Sequence, residues 1–192
     1  MIAIIKYNAG NILSVAHALE RLGYEYNITD KPLEISHADK VILPGVGAAG
    51  MAMAYLKEKA MDKIIMHLGQ PVLGICLGLQ LMCSYSEEGS VDCLGIFDTI
   101  VRKLPPKNIV PHMGWNNLQQ RSGDLFTDVA DHDDVYFVHS YAADVCVDTI
   151  AVCDYIQPFS AALNKRNFYA TQFHPEKSAA VGEQILKNFL AL

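Results

Sequence analysis

Apolar residues follow two rhythms in the first half of this chain. Short uninterrupted apolar runs, which predict buried strands, alternate with segments whose apolar positions recur every three or four residues, which predict helices buried on one side. Residues 1–7 form the first run, and the turn at 8–11 is suited to cap a helix after it. Ile12, Val15, Ala16, Leu19 and Leu22 then recur at helical spacing, with Gly23 placed to stop the helix. Residues 24–29 predict a second strand, polar enough to lie near an edge, and 40–43 a third, joined by a short connection containing Pro32. Helices over about 51–59 and through Ile64 and Ile65 lead to a fourth strand beginning at Val72. Such alternation predicts an α/β fold with a mostly parallel central sheet and helices on both faces. Ligands of these sheets bind beyond the carboxyl ends of the strands.

From about residue 89 the rhythm changes to short β-prone pieces at 95–97, 99–102, 116–118, 135–138, 150–153, 160–163 and 168–172. Few of the intervals have room for a crossover helix, so these pieces are expected to be mostly antiparallel strands added to the parallel core. Val181, Ile185, Leu186, Phe189 and Leu190 predict a last helix over about 180–190 that packs back on the sheet. No repeat, low-complexity tract or linker intervenes, and 1–192 is expected to be a single domain.

Composition narrows the possibilities. With 51% hydrophobic residues the chain can bury a core, which excludes disorder. The net charge of −6 and the absence of a basic run argue against nucleic acid; residues 57–63 mix both signs as a solvated helix face does. Five cysteines, Cys76, Cys83, Cys93, Cys146 and Cys153, include no Cys-x-x-Cys pair, so a reducing, cytoplasmic setting is expected. No apolar run approaches the roughly 18 residues of a membrane span, and no basic leader precedes residue 2. The chain is expected to be soluble, unprocessed and without a membrane partner.

The candidate chemistry centres on Gly74-Ile75-Cys76-Leu77-Gly78. Glycine two residues away on each side of a cysteine, between a strand and a helix, is the cysteine form of a nucleophile elbow. A helix starting at Leu77 and a nearby histidine would favour the thiolate, and the Leu77 N–H would point toward a developing oxyanion. Alone, the pattern fits equally a buried structural cysteine in a glycine-rich turn. Near the other end stands Gln172-Phe173-His174-Pro175-Glu176. If the segment is extended, His174 and Glu176 share one side, so Glu176 can orient the ring while its other nitrogen faces Cys76. A surface turn has the same composition. Pro44-Gly45-Val46-Gly47 reads either as a turn leaving a strand or as an oxyanion loop, whose glycines let a peptide N–H swing toward negative charge. His17 and His67 sit within helix patterns, whereas His112 and His139 fall in loops or strand ends near possible binding surfaces. No histidine pair has metal-ligand spacing beside a third ligand, so no metal is expected.

In this order, Pro44-Gly45-Val46-Gly47, Gly74-Ile75-Cys76-Leu77-Gly78-Leu79-Gln80 and Phe173-His174-Pro175-Glu176 resemble the class I (triad) glutamine amidotransferases, a flavodoxin-like fold, along essentially the whole chain. The resemblance implies that Cys76 attacks the side-chain amide of glutamine, His174 shuttles the proton and Glu176 orients it. It implies that backbone groups of Val46 and Leu77 hold the oxyanion. Gly45, Gly47, Gln80, Glu88, Ser140 and Tyr141 would surround the glutamine, with Glu88 against its α-ammonium. No cofactor is implied.

Tyr7-Asn8-Ala9-Gly10-Asn11 with Ser14, His112-Met113-Gly114-Trp115-Asn116, Tyr136-Phe137-Val138-His139-Ser140-Tyr141 and Lys177-Ser178 are similar to one branch of that family, the glutaminase subunits of imidazole glycerol phosphate synthase. Leu79 stands where methionine is frequent in the family and Ser140 where threonine is frequent. The branch implies a heterodimer with a (β/α)8-barrel cyclase subunit of histidine biosynthesis, contacted through Asn8, Asn11, His112, Trp115, Asn116 and Tyr136. Trp115 reads equally as a core aromatic or an interface anchor. Two alternatives stand beside this reading: a glutaminase of pyridoxal phosphate, anthranilate or carbamoyl phosphate synthesis, and a non-catalytic interaction module on the same fold.

Overall fold

The computed structural model describes residues 1–7, 10–130 and 133–192. Its first half contains β1 (Ile2–Ile5), α1 (Ile12–Arg21), β2 (Tyr26–Thr29), α2 (Pro32–Ser36), β3 (Lys40–Leu43), α3 (Ala49–Glu58), α4 (Met61–Met66), β4 (Val72–Ile75) and α5 (Leu77–Met82). β2, β1, β3 and β4 pair in parallel in that order. The connection at Pro32 is not a plain loop. Proline at the start of α2 supplies a fixed φ and lacks an N–H that would have no intrahelical partner, so it opens a short helix.

The second half contains β5 (Cys83–Ser86), β6 (Val91–Asp92), β7 (Phe97–Lys103), β8 (His112–Asn117), β9 (Asp134–His139), β10 (Tyr141–Ala143), β11 (Thr149–Asp154), β12 (Pro158–Lys165), β13 (Phe168–Thr171) and α6 (Ala179–Ala191). The central sheet has seven strands in the order β11-β12-β13-β4-β3-β1-β2. The expectation of antiparallel additions to the core needs two corrections. β13 runs parallel to β4, and only β11 and β12 extend the central sheet in antiparallel fashion. The other strands form separate small sheets, β10-β7-β5-β6 and β8-β9, and within the first β5 is parallel to β7. The two pieces expected at 95–97 and 99–102 are one strand, β7.

The pleat explains the unbroken apolar runs. Ile2, Ile4, Ile42, Leu73 and Ile75 face α1 and α6, packing with Val15, Leu19, Ile185 and Phe189. Ala3, Ile5, Val41, Leu43 and Val72 point the other way, against Ile35, Met53, Ile65 and Leu79 of α2 to α5. A strand covered on both faces has no polar positions to alternate with. The seating of β13 beside β4 is the step that matters for chemistry: it brings the segment after Thr171 to the same sheet end as Cys76 and Pro44.

Candidate active site

Cys76 joins β4 to α5 with φ 52 and ψ −103, a backbone conformation that side chains rarely adopt. The flanking glycines leave no alternative. A Cβ on Gly78 would stand 2.0 Å from the Leu43 carbonyl oxygen, and one on Gly74 would stand 2.8 Å from the Gly78 backbone. The Cys76 N–H donates to the Thr171 carbonyl at 2.7 Å, tying the elbow to the end of β13. Burial leaves the Cys76 residue 6% exposed.

The segment carrying His174 is pinned to β9. The His174 N–H donates to the Tyr136 carbonyl at 2.9 Å, the Tyr136 N–H donates to Ser178 Oγ at 2.9 Å, and that hydroxyl donates to the His174 carbonyl at 2.7 Å. An extended His-Pro-Glu segment is not what forms. Pro175 opens a 3-10 turn, Pro175–Lys177, which curls Glu176 back toward the ring, and His174 Nδ1 lies 2.8 Å from Glu176 Oε1. Both side chains are fully buried. Burial disfavours charge on His174, but Cys76 and Glu176 outweigh it and push its pKa up to about 10. Nε2, on the far side of the ring, has no other partner among the described residues, and Cys76 supports the charged ring by hydrogen bonding as well as by its charge.

The amide of Asn11, a residue expected at a partner surface, donates to Glu176 Oε1 and lies 3.5 Å from His174 Nδ1, so it steadies the carboxylate from the start of α1. No local signal announces this, because the contact spans 165 positions.

A cavity of about 220 Å³ opens above Cys76, lined by Val46, Gly47, Leu77, Gln80, Glu88, Pro111, Val138, His139, Ser140 and Tyr141. Gly47, Gln80, Glu88, Ser140 and Tyr141, the expected substrate neighbours, therefore converge on it. Glu88 is held by the Ala49 N–H at 2.9 Å, and its carboxylate is suited to an ammonium group. Gly45 does not line the cavity, because its carbonyl is turned inward to accept the Leu77 N–H at 3.2 Å. The expected oxyanion donor is thereby occupied. Pro111 and Val138 line the cavity without having been expected there, and so does His139, which was expected near a binding surface.

Near this cavity the pleat of β8 sorts the expected partner residues. Met113 and Trp115 point outward, 62% and 54% exposed, and Trp115 stands edge-on to Tyr136 at 5.9 Å. Trp115 thus lies exposed on a strand and is not a core aromatic. His112 points inward and cannot be a surface contact: it is stacked between Phe137 and Tyr155 and sits 3.0 Å from His139. Asn116 is half-buried on the same side, and Asn8 lies outside the described residues. Among the described residues all five cysteines are free, no three His, Cys, Asp or Glu side chains are grouped to hold a metal ion, and no helix is long and apolar enough to cross a membrane.

Similarity to known proteins covers the full chain. A family model described as glutamine amidotransferase class-I matches residues 3–192. A protein of Bacteroides fragilis, "Imidazole glycerol phosphate synthase subunit HisH", is 59% identical over 194 residues, spanning 100% of this chain and 99% of the relative. The protein of that name from Pasteurella multocida is 47% identical over 191 residues, spanning 98% and 96%. A crystal structure described as a glutamine amidotransferase matches with a TM-score of 0.77 at 16% identity, covering 100% of this chain and 98% of the other, which bears on the fold alone.

Proposed function

The chain belongs to the class I glutamine amidotransferases, and we propose that Cys76, His174 and Glu176 form the triad with which it hydrolyses glutamine. Its activity is that of the glutaminase subunit of imidazole glycerol phosphate synthase, in histidine biosynthesis. The observation that carries the triad is that a strained Cys76 lining the cavity acts on the buried His174 of a His174–Glu176 pair. Residues 1–192 act as one domain.

In this reading Cys76 gives its thiol proton to His174 Nε2 as Sγ attacks the side-chain carbonyl carbon of glutamine, and the carbonyl electron pair moves to the oxygen. His174 Nε2 passes that proton to the leaving nitrogen, the oxyanion re-forms the carbonyl as the C–N bond breaks, ammonia departs and a thioester remains. Water, losing a proton to His174, then attacks the thioester and releases glutamate with the thiol restored. Glu176, steadied by Asn11, keeps the ring in the orientation that directs Nε2 at these atoms. Glu88 takes the α-ammonium. Leu77 and Val46 N–H groups stabilise the oxyanion once the Gly45 carbonyl has turned away.

As a subunit of a multi-subunit synthase the chain works with a partner. The partner in this proposal is a (β/α)8-barrel cyclase forming a heterodimer over the Trp115 face, in the cytoplasm. Ammonia released into neutral water becomes mostly ammonium, a poor nucleophile, so a docked acceptor beside the cavity keeps it reactive. The intact triad argues against a non-catalytic module.

Replacing Cys76 tests the reading. Cys76→Ser in the assembled synthase should lose glutamine-dependent turnover by about 1,000-fold or more, as removal of a covalent nucleophile does, while synthesis from added ammonia persists. A glutamine-like chloroketone should label Cys76 alone in the wild-type chain. Burial pushes the thiols of Cys83, Cys93 and Cys153 up, those of Cys93 and Cys153 to about 11 and about 12. Near-normal turnover with glutamine in the serine variant, or first labelling elsewhere, would reject the assignment.

A further inference from the structure

One buried side chain beside Cys76 has no part in the triad. Gln172, the residue after β13, is fully buried, and its amide nitrogen lies 3.5 Å from Cys76 Sγ, within hydrogen-bond range of a sulfur acceptor. An amide has two ends of opposite character. If its oxygen faced the sulfur, it would repel the negative charge on which the attack depends; the nitrogen end supports that charge.

The surrounding bonds decide which end faces Cys76, and their direction is set by a single group that can only accept. That group is the carbonyl of Tyr141. Gln80 Nε2 donates to it at 2.9 Å, so the nitrogen of the Gln80 amide is directed inward, and the same nitrogen donates to Gln172 Oε1 at 3.1 Å. With its oxygen so engaged, Gln172 has only its nitrogen to present to the sulfur. The Tyr141 carbonyl also receives His139 Nδ1 at 2.8 Å, which leaves His139 Nε2 as acceptor for His112 Nδ1 at 3.0 Å. His112 Nε2 is then the acceptor for the Asn116 amide at 3.5 Å. Every bond in this chain has one consistent direction, with both histidines neutral. In agreement, burial lowers the pKa of His112 to about 4 and, with His112 as neighbour, that of His139 to about 3.

We infer that Gln172 is a positioning residue for the nucleophile, its amide locked nitrogen-first toward Cys76 Sγ by a hydrogen-bond chain that runs through Gln80 and Tyr141 to the His139–His112 pair. The inference rests on Cys76 being the nucleophile. Its role is distinct from that of His174: the histidine moves protons, whereas Gln172 donates a bond to the sulfur that strengthens as negative charge builds there. Cys76 has a second anchor, the Val138 carbonyl at 3.9 Å, which can accept from the thiol but offers nothing to a thiolate. Of these two neighbours, Gln172 is the one that presents a donor to the sulfur.

The experiment measures the rate at which iodoacetamide alkylates Cys76, read by mass spectrometry across a range of pH, in the full-length chain and two variants. Gln172→Leu removes the donor at similar size. Its alkylation profile should move to higher pH, with roughly tenfold slower labelling at neutral pH, the size expected for one lost hydrogen bond to a charged group. Gln172→Glu can still accept from Gln80 but turns an oxygen to the sulfur, and should displace the profile further the same way. The titratable groups around Cys76, namely His174 with Glu176 behind it, Tyr7, His139 and Glu88, are retained in both variants. A purely structural role for Gln172 would lower melting temperature without moving the profile. If Gln172→Leu does not fold, Gln172→Met, which also lacks the donor and adds no charge, carries the test, and an unmoved profile in a folded uncharged variant overturns the inference. Failure of the underlying reading would appear separately, as loss of selective chloroketone labelling of Cys76 in the wild-type chain.

Discussion

The backbone amide of Leu77 donates to the carbonyl of Gly45, 3.2 Å away, across the edge of the cavity above Cys76. Leu77 is the residue after Cys76, the proposed nucleophile, so its N–H is the donor best placed for an oxyanion in that reading, and here it is already satisfied. The Gly45 carbonyl belongs to the same planar peptide unit as the Val46 N–H. Rotating that one unit removes the acceptor that occupies Leu77 and swings the Val46 N–H toward the cavity. Gly47, next along the loop, has φ 135, a conformation that glycine tolerates and other residues rarely adopt.

Before the peptide turns, the two proposed oxyanion donors are not available to the cavity, and the isolated chain should hydrolyse glutamine very slowly. Adding the proposed partner subunit should raise kcat by about 100-fold or more with little change in KM. One oxyanion donor is worth about 100- to 1,000-fold, and it acts in the transition state. Trp115→Ala, which strips the exposed ring from the Tyr136 edge, should weaken that activation and leave Cys76 open to labelling. Steady-state kinetics with and without partner decide the matter; a fully active isolated chain would remove the switch.

Glu176→Gln separates orientation from charge. The amide can still meet the His174 ring, but the negative partner of the imidazolium is gone, and kcat should fall by about 100-fold or more. The pH dependence has a definite sign. His174 is raised from an ordinary 6.5 to about 10, so its stabilising contribution is fully present below pH 6.5 and disappears as the pH rises through 10. The stability deficit of Glu176→Gln relative to wild type should be largest near pH 6 and narrow above pH 10. Urea unfolding midpoints at the two pH values measure this.

His112 and His139 carry the opposite sign. Their folded-state pKa values, about 4 and about 3, lie below the ordinary 6.5, so the unfolded chain takes up their protons first as the pH falls. Their stabilising contribution is present above pH 6.5 and is lost on acidification through pH 4 and 3. His112→Phe keeps a ring between Phe137 and Tyr155 but removes the titrating group. Its loss of stability between pH 7 and pH 4 should be smaller than the wild type's, by on the order of 3 kcal/mol. Denaturant titrations across that range check it, and equal slopes would reject it.

Sequence alone determined the parts of this protein that neighbouring residues dictate. Runs such as Val41-Ile42-Leu43 and Val72-Leu73 announce strands buried on both faces, because no position in them can face water. Gly74 and Gly78 announce the elbow, because backbone approach there leaves no room for a Cβ. Cys76, His174 and Glu176 stood out as a candidate set through the resemblance of their motifs to the triad amidotransferases, although the extended segment expected to align His174 with Glu176 is a 3-10 turn. What tertiary structure alone decided depends on pairing between distant segments. Seating β13 parallel to β4 places His174 near Cys76, and Asn11 reaches Glu176 from the opposite end of the chain. Register on β8 turns His112 inward and Trp115 outward, and a shift by one residue would exchange them. The closed Leu77–Gly45 bond and the direction of the Gln172 amide are likewise matters of which partner each polar group finds. Local sterics and periodicity are written in adjacent residues, whereas the choice of hydrogen-bond partner is made only when the folded chain brings donors and acceptors together.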